Sequence, residues 1–257
     1  MSSDTDRYSR QALVKGWDQS KLTNGRVTVV GAGGLGTPLL NNLARAGVGI
    51  LYVVDYDSVE RSNLARQVLY LEGDVGRPKA DAAALRLMEI NPDVKAYAVP
   101  MMVGVAPSLR PEAFQVDVVA DCLDNLGARK QLNKICLEHR IPLVSGGVHG
   151  MQGNLQVIRP YENACLQCNP LISDAPVVGD SCTKNITNPV VNSTTTIIAG
   201  LQTQEIYKIL HGGSIGRSIQ EFIYFQGDNN LIKYVPIKRK ASCGACGDNQ
   251  IAKQFNI

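Results

Sequence analysis

In the stretch VTVVGAGGLGTPLLNNLARAGVG, residues 27–49, Gly31, Gly33, Gly34 and Gly36 satisfy the pattern G-x-G-x-x-G between an apolar run and a helical one. Glycines at such a turn let main-chain N–H groups come close to a phosphate, and the helix that follows points its positive dipole end at the same anion. Asp55 closes the next apolar run, ILYVVD, 19 residues after Gly36, where an acidic side chain holds ribose hydroxyls. NAD, FAD and ATP all satisfy these features.

The residues that follow discriminate among them. DYDSVERSNLARQ sets Asn63 and Arg66 just past the acidic strand end, GRPKADAA opens a helix with Lys79, and DCLDN sets Asp121 and Asp124 at the carboxyl end of a later strand. Open α/β sheets bind ligands along that edge. Two cations and a carboxylate around a phosphate cradle suit a triphosphate with Mg²⁺. The cations balance charge on a phosphorus undergoing substitution and on departing pyrophosphate, and Asp124 is suited to hold the metal. Hydride transfer has little use for such a set.

A second chemistry is written in the seven cysteines. Cys122 and Cys136 stand alone in apolar runs and read as small core residues. The other five cluster as CLQC (Cys165, Cys168), SC (Cys182) and CGAC (Cys243, Cys246). An odd total argues against a complete disulfide framework, and two C-x-x-C pairs have the spacing of a closed, structural tetrathiolate zinc site that staples the tail to an earlier loop. Cys182 is left over; a reactive thiol there needs a neighbouring cation, and Lys184 is two residues away.

The elements that carry these groups follow from periodicity. Apolar, β-branched runs fall at 26–30, 50–54, 94–99, 116–121, 141–145 and 154–158, and helical spacing at 35–46, 79–90 and 126–139. Strands separated by helices imply a parallel sheet covered on both faces. Residues 160–192 carry Pro, Asn, Gly and Cys without periodicity; a helix follows over 193–210, and EFIYFQGDNNLIKYV reads as a hairpin. The expected architecture is α/β: a doubly wound, Rossmann-like, mainly parallel sheet extended by C-terminal antiparallel strands, with a four-cysteine zinc site. The 257 residues are expected to form one domain: a nucleotide-binding part to 160, a zinc half-site and crossover loop over 161–192, and a helix, hairpin and second half-site from 193.

Composition narrows the class. Hydrophobic residues make up 44% and charged residues 19% of the chain, with a net charge of +3, values of a folded protein. No basic run suggests nucleic acid, and neither an apolar leader nor a run of about 20 apolar residues suggests a membrane. A cytoplasmic location is the expectation.

RYSRQ, GAGGLG, VVDYDSVERSNLARQ, VGRPKA, INPDV, DCLDN, IPLVSGG, CLQC, SC and CGAC occur in this order. In that order the chain resembles the ubiquitin-activating-enzyme-like adenylyltransferases, in pattern those that adenylate sulfur carriers for molybdopterin and thiamine synthesis. The resemblance runs from about Arg7 to Cys246. It implies an enzyme that binds ATP and Mg²⁺ and joins AMP to a carboxylate, usually the C-terminal glycine of a ubiquitin-like protein, releasing pyrophosphate. It further implies that Gly31, Gly33, Gly34 and Gly36 cradle phosphate and that Asp55 holds the ribose. Asp57, Asn63, Arg66, Gln67 and Lys79 line the nucleotide, with Asp124 near Mg²⁺. Arg10 reaches the partner's site in a homodimer, and Cys182 is where relatives carry a thiol that forms a thioester or persulfide. Two departures stand out. TKNITNPVVN follows Cys182 where relatives are rich in Gly and Val, and His149 stands where they carry small or apolar residues. These keep open a second substrate class, a peptide or small-molecule carboxylate such as a pyridinol acid. A non-catalytic nucleotide-binding subunit is the further alternative, disfavoured because Arg66, Lys79 and Asp124 are all present. No rhodanese-like segment follows CGAC, so sulfur is expected from another protein. His139 and His211 are expected at the surface or at helix ends.

Overall fold

The computed structural model describes residues 7–173 and 189–255. Eight strands form one sheet: β1 Arg26–Val30, β2 Ile50–Val54, β3 Lys95–Val99, β4 Val118–Asp121, β5 Leu143–His149, β6 Gln152–Ile158, β7 Phe222–Gln226 and β8 Leu231–Val235. Their order across the sheet is β3-β2-β1-β4-β5-β6-β7-β8. The first five run parallel and the last three join antiparallel. The helices are α1 Gln19–Thr23, α2 Gly36–Ala46, α3 Lys79–Ile90, α4 Ala106–Leu109, α5 Leu126–Glu138, α6 Pro170–Ser173, α7 Asn192–Leu210 and α8 Asp248–Phe255. Helices α2, α3, α4 and α5 are the crossovers between successive parallel strands.

Burial follows this plan. β1, β2 and β4 are apolar on both faces because helices cover both, and each is buried over at least four residues. One core lies under α2, α3 and α7; the other, under α5 and the short helices, includes all four cysteines of the C-x-x-C pairs. Cys122 and Cys136 are buried in these cores as expected, and burial pushes both thiols above the ordinary range.

The antiparallel extension begins at β6, one strand earlier than the tail hairpin. Only Gly150 and Met151 separate β5 from β6, too few for a crossover, so the second strand returns beside the first. Within 160–192 a short 3-10 turn, Leu166–Cys168, and α6 order the first cysteine pair. The expectation for Cys182 falls outside the described residues, as does Lys184. Among the described residues, no helix is long and apolar enough to cross a membrane.

Candidate active site

The strand order reverses between β1 and β4, which opens a crevice at their carboxyl ends. Register brings three groups level there: Val30 pairs with both Val54 and Asp121. Gly31 N–H then donates to Val54 O and Cys122 N–H to Val30 O. The glycine turn, Asp55 and the DCLDN segment thus share one edge, on strands about 4.8 Å apart.

The four glycines do two different jobs. Gly31 has φ +94°, and a Cβ on it would lie 2.7 Å from the Cys122 carbonyl oxygen. A Cβ on Gly36 would run into the Gly31 carbonyl oxygen. These two positions are closed by the protein itself. A Cβ on Gly33 would meet only Gln67 Nε2, at 3.8 Å, and one on Gly34 would touch the flexible Arg66 side chain at 3.3 Å. The protein does not require glycine at 33, and position 34 presses only on a movable side chain. Both lie just before α2, where the free N–H groups and helix dipole favour an anion.

Asp55 braces this turn. One carboxylate oxygen accepts from Ala32 N–H at 2.6 Å and the other from Asp57 N–H at 2.8 Å. Burial raises its pKa above the ordinary carboxylate value, against the pull of Lys79 and of the two N–H groups. Lys79, the first residue of α3, is only 7% exposed, and its ammonium donates to Asp57 Oδ2 at 2.9 Å. Pro78 sets its helix entry, and Lys79 N–H donates to Asp57 O at 2.8 Å. Tyr70 ties turn to helix: its buried hydroxyl lies 2.8 Å from Ala32 O and 3.2 Å from Lys79 O.

The segment after β2 adds three more polar groups. Asn63 is buried, and its Oδ1 accepts from Glu60 N–H. Arg66 donates to Ser62 O and lays its methylenes against Gly34. Gln67 is 3% exposed, and its Oε1 has no hydrogen-bond partner. Beyond β4, Asp124 is exposed and makes no hydrogen bond or ion pair among the described residues, so its carboxylate is available as a metal ligand. Asp121 is different. It is fully buried, accepting from Arg129 Nε at 2.9 Å, Ser145 Oγ at 2.7 Å and Leu123 N–H at 3.0 Å. Arg129 also donates to Gly146 O, locking β4, β5 and α5 together. Nothing in DCLDN separates the two aspartates, because the side chains that bury Asp121's charge, Arg129 and Ser145, lie 8 and 24 residues away.

Arg10 stands apart from this edge. The N-terminal segment lies across the carboxyl end of α2. Gln11 Nε2 donates to Ala46 O at 2.9 Å, and Asn91 Nδ2 to the Tyr8 hydroxyl at 2.8 Å. The 11 residues of α2 put about 16 Å between that end and the glycine turn. His149 is exposed at the end of β5, beside Gly150, whose N–H meets Pro189 O. His139 caps α5, whereas His211, at the end of α7, is 4% exposed rather than at the surface. Its Nε2 accepts from Asp18 N–H, its other nitrogen meets Tyr207 O, and Trp17 covers the ring.

Away from the crevice, the Sγ atoms of Cys165, Cys168, Cys243 and Cys246 lie within 4.8 Å of one another, all buried. The closest pairs are Cys168–Cys246 at 3.5 Å and Cys165–Cys243 at 3.8 Å. With metal–sulfur bonds of about 2.3 Å, a tetrahedron has edges of about 3.8 Å, so the donor set and spacing fit a tetrahedral divalent ion. The Cys246 thiol donates to Cys165 and lowers it to about 5, while Cys246 itself is raised. Arg239 clips the second pair, donating to Cys246 O and to Asp248.

Comparison with known proteins identifies the family and the fold. The ThiF family model matches residues 8–245. A sulfur carrier protein ThiS adenylyltransferase from Escherichia coli (strain K12) is 34% identical over 249 residues, covering 95% of this chain and 96% of that protein. A SAMP-activating enzyme E1 from Haloferax volcanii is 34% identical over 258 residues, covering 97% and 92%. Among solved structures, E. coli MccB with MccA-N7isoASN shares the fold with a TM-score of 0.83 at 22% identity, over 96% of this chain and 76% of that one. With the match running almost end to end, the chain belongs to the ThiF family and is an adenylyltransferase.

Proposed function

We propose that the protein uses ATP to adenylate the C-terminal glycine carboxylate of a ubiquitin-like sulfur-carrier protein, in readiness for thiocarboxylate or thioester formation. The observation that carries the substrate class is the near end-to-end match, at 34% identity, to a ThiS adenylyltransferase. In this reading Gly33 and Gly34 leave room for the phosphates while Gly31 and Gly36 shape the turn. Asp55, with the more exposed Asp57 beside it, takes the ribose hydroxyls. Asn63, Arg66 and Gln67 line the phosphates.

A carboxylate oxygen of the carrier attacks the α-phosphorus, a new O–P bond forms, and the bond to the β-phosphate oxygen breaks. Pyrophosphate leaves with the electron pair. Lys79 and Arg66 offset the charge that builds on the phosphoryl and pyrophosphate oxygens. Lys79 is well suited, since its ammonium is buried and held by one carboxylate. Mg²⁺, when bound by Asp124, supplies further neutralisation of the pyrophosphate. Gln11, next to Arg10, is bound at the end of α2 opposite the glycine turn, which supports a homodimer in which Arg10 completes the partner's site. The four-cysteine cluster holds a structural Zn²⁺. Cys182 is the candidate for any later covalent step.

His149 favours a second reading, adenylation of a peptide or small-molecule carboxylate. It stands beside Gly150, where the chain returns at Pro189 from the atypical loop. Exchange of labelled pyrophosphate into ATP tests both. A signal that needs a carrier ending in glycine supports the first, and one driven by small acids or peptides alone overturns it.

A further inference from the structure

Three buried amides frame the turn that carries the first cysteine pair. Gln156 Nε2 donates to Ala164 O at 2.9 Å, and its Oε1 accepts from Asn169 Nδ2 at 3.1 Å. Asn169 Oδ1 accepts in turn from Leu171 N–H at 3.0 Å. Asn133, on α5, accepts from Leu166 N–H at 3.2 Å through Oδ1. That bond fixes the amide's orientation, because only its oxygen can meet an N–H donor.

Of these six amide atoms one is left over. Asn133 is fully buried, and its Nδ2 has no hydrogen-bond partner. An unpaired buried donor is destabilising unless something receives it. Leu166 follows Cys165 in the chain, so the leftover N–H₂ stands at the turn that carries Cys165. A neutral thiol is a weak acceptor, whereas a metal-bound thiolate is a strong one.

We propose that Asn133 is a positioning residue of the four-cysteine metal site, its Nδ2 donating to the Cys165 sulfur once that sulfur is a metal-bound thiolate. The inference rests on the metal reading of the cluster. Four thiolates on a divalent ion carry two surplus negative charges, which N–H donors offset, as Lys240 N–H does at 3.4 Å from Cys168 and Ala245 N–H at 3.5 Å from Cys243. Asn133 supplies the corresponding side-chain donor to Cys165. Because it sits on α5, it also ties the metal site to the helix whose first turn follows Asp124.

Asn133→Asp tests this, since the carboxyl keeps an oxygen for Leu166 N–H and replaces the donor with an acceptor. In the full-length protein, zinc affinity measured against a competing chromogenic chelator is expected to fall about 10- to 100-fold. The sulfur-to-metal charge-transfer band of the Co²⁺-loaded variant is expected to move to lower energy, a change that a purely structural role does not produce. Affinity within twofold of wild type and an unmoved band overturn the proposal. Should the variant fail to fold, wild-type protein loaded with ¹¹³Cd decides. Scalar coupling between the metal and the Asn133 side-chain amide protons supports the contact, and its absence overturns it. If wild-type protein binds no zinc, the metal reading falls too; if it binds zinc and N133D binds equally well, only the role of Asn133 falls.

Discussion

Replacing Gly33 by alanine separates a glycine kept for a ligand from one kept for the fold. A methyl at 33 meets nothing closer than Gln67 Nε2 at 3.8 Å, an ordinary contact, and the backbone there is outside the left-handed region that alanine avoids. Stability is therefore expected to stay within about 0.5 kcal/mol, or about 2 °C in melting temperature. Gly36→Ala is the contrast, because its methyl would occupy the Gly31 carbonyl oxygen and lie 2.9 Å from the carbon behind it. Relief requires the turn to move, at a cost at or beyond the ~1–3 kcal/mol of ordinary overpacking. If a phosphate rests on the turn at 33, the alanine methyl takes its place and a charge-assisted hydrogen bond of about 1.5–3 kcal/mol is lost. At about 1.4 kcal/mol per tenfold, Kd for ATP rises about 10- to 150-fold. Calorimetric titration with a non-hydrolysable ATP analogue, beside thermal melts of both variants, reads the two effects separately. A G33A variant that binds within twofold of wild type would refute the placement of the phosphates. One that melts as early as G36A would refute the packing argument.

Tyr70→Phe removes the hydroxyl between Ala32 O and Lys79 O, leaving buried carbonyls without it; a stability loss of about 1–3 kcal/mol by denaturant titration, with a lower kcat, is expected. Because burial lifts Asp55 above its ordinary 3.8, the folded protein holds that proton more tightly than the unfolded chain, so this group's stability contribution is fullest below 3.8 and is lost as pH rises through the raised value. Ribose binding needs the ionised form and runs the opposite way. KM for ATP is expected to climb as pH falls through that raised value, before an ordinary carboxylate would protonate, and Asp55→Asn is expected to flatten the profile. If Arg10 serves the partner's site, R10A and K79A homodimers are each inactive, and mixing them one to one restores about a quarter of wild-type turnover, because each heterodimer holds one intact site. Steady-state rates before and after subunit exchange check this, and no recovery would place Arg10 outside the reaction.

What could be read from the sequence was what local backbone geometry demands. Gly31 and Gly36 had to be glycine for the strand to turn into α2, Asp55 had to follow β2 to brace that turn, and each C-x-x-C spacing brings its two sulfurs into the four-cysteine cluster. Residues satisfied by partners far along the chain left no such mark. Asp121 and Asp124 look alike in DCLDN, yet Arg129 and Ser145 bury the first and leave the second exposed. Asn133 and Gln202 sit in helices as if solvated, yet both are fully buried, Gln202 donating to Asp121 O and Val144 O. His211 reads as a surface or helix-end residue, and it does end α7, but its burial under Trp17 and Asp18 leaves no local mark. The division has a physical origin: a dihedral constraint or a chelate spacing acts over a few residues, whereas a buried polar atom is satisfied wherever the fold brings a complementary one. The candidate site's edge is legible at Gly31 and Asp55 because the turn needs both for its own geometry, whereas Gly33, which the fold leaves free, is the position where a ligand rather than the chain asks for glycine.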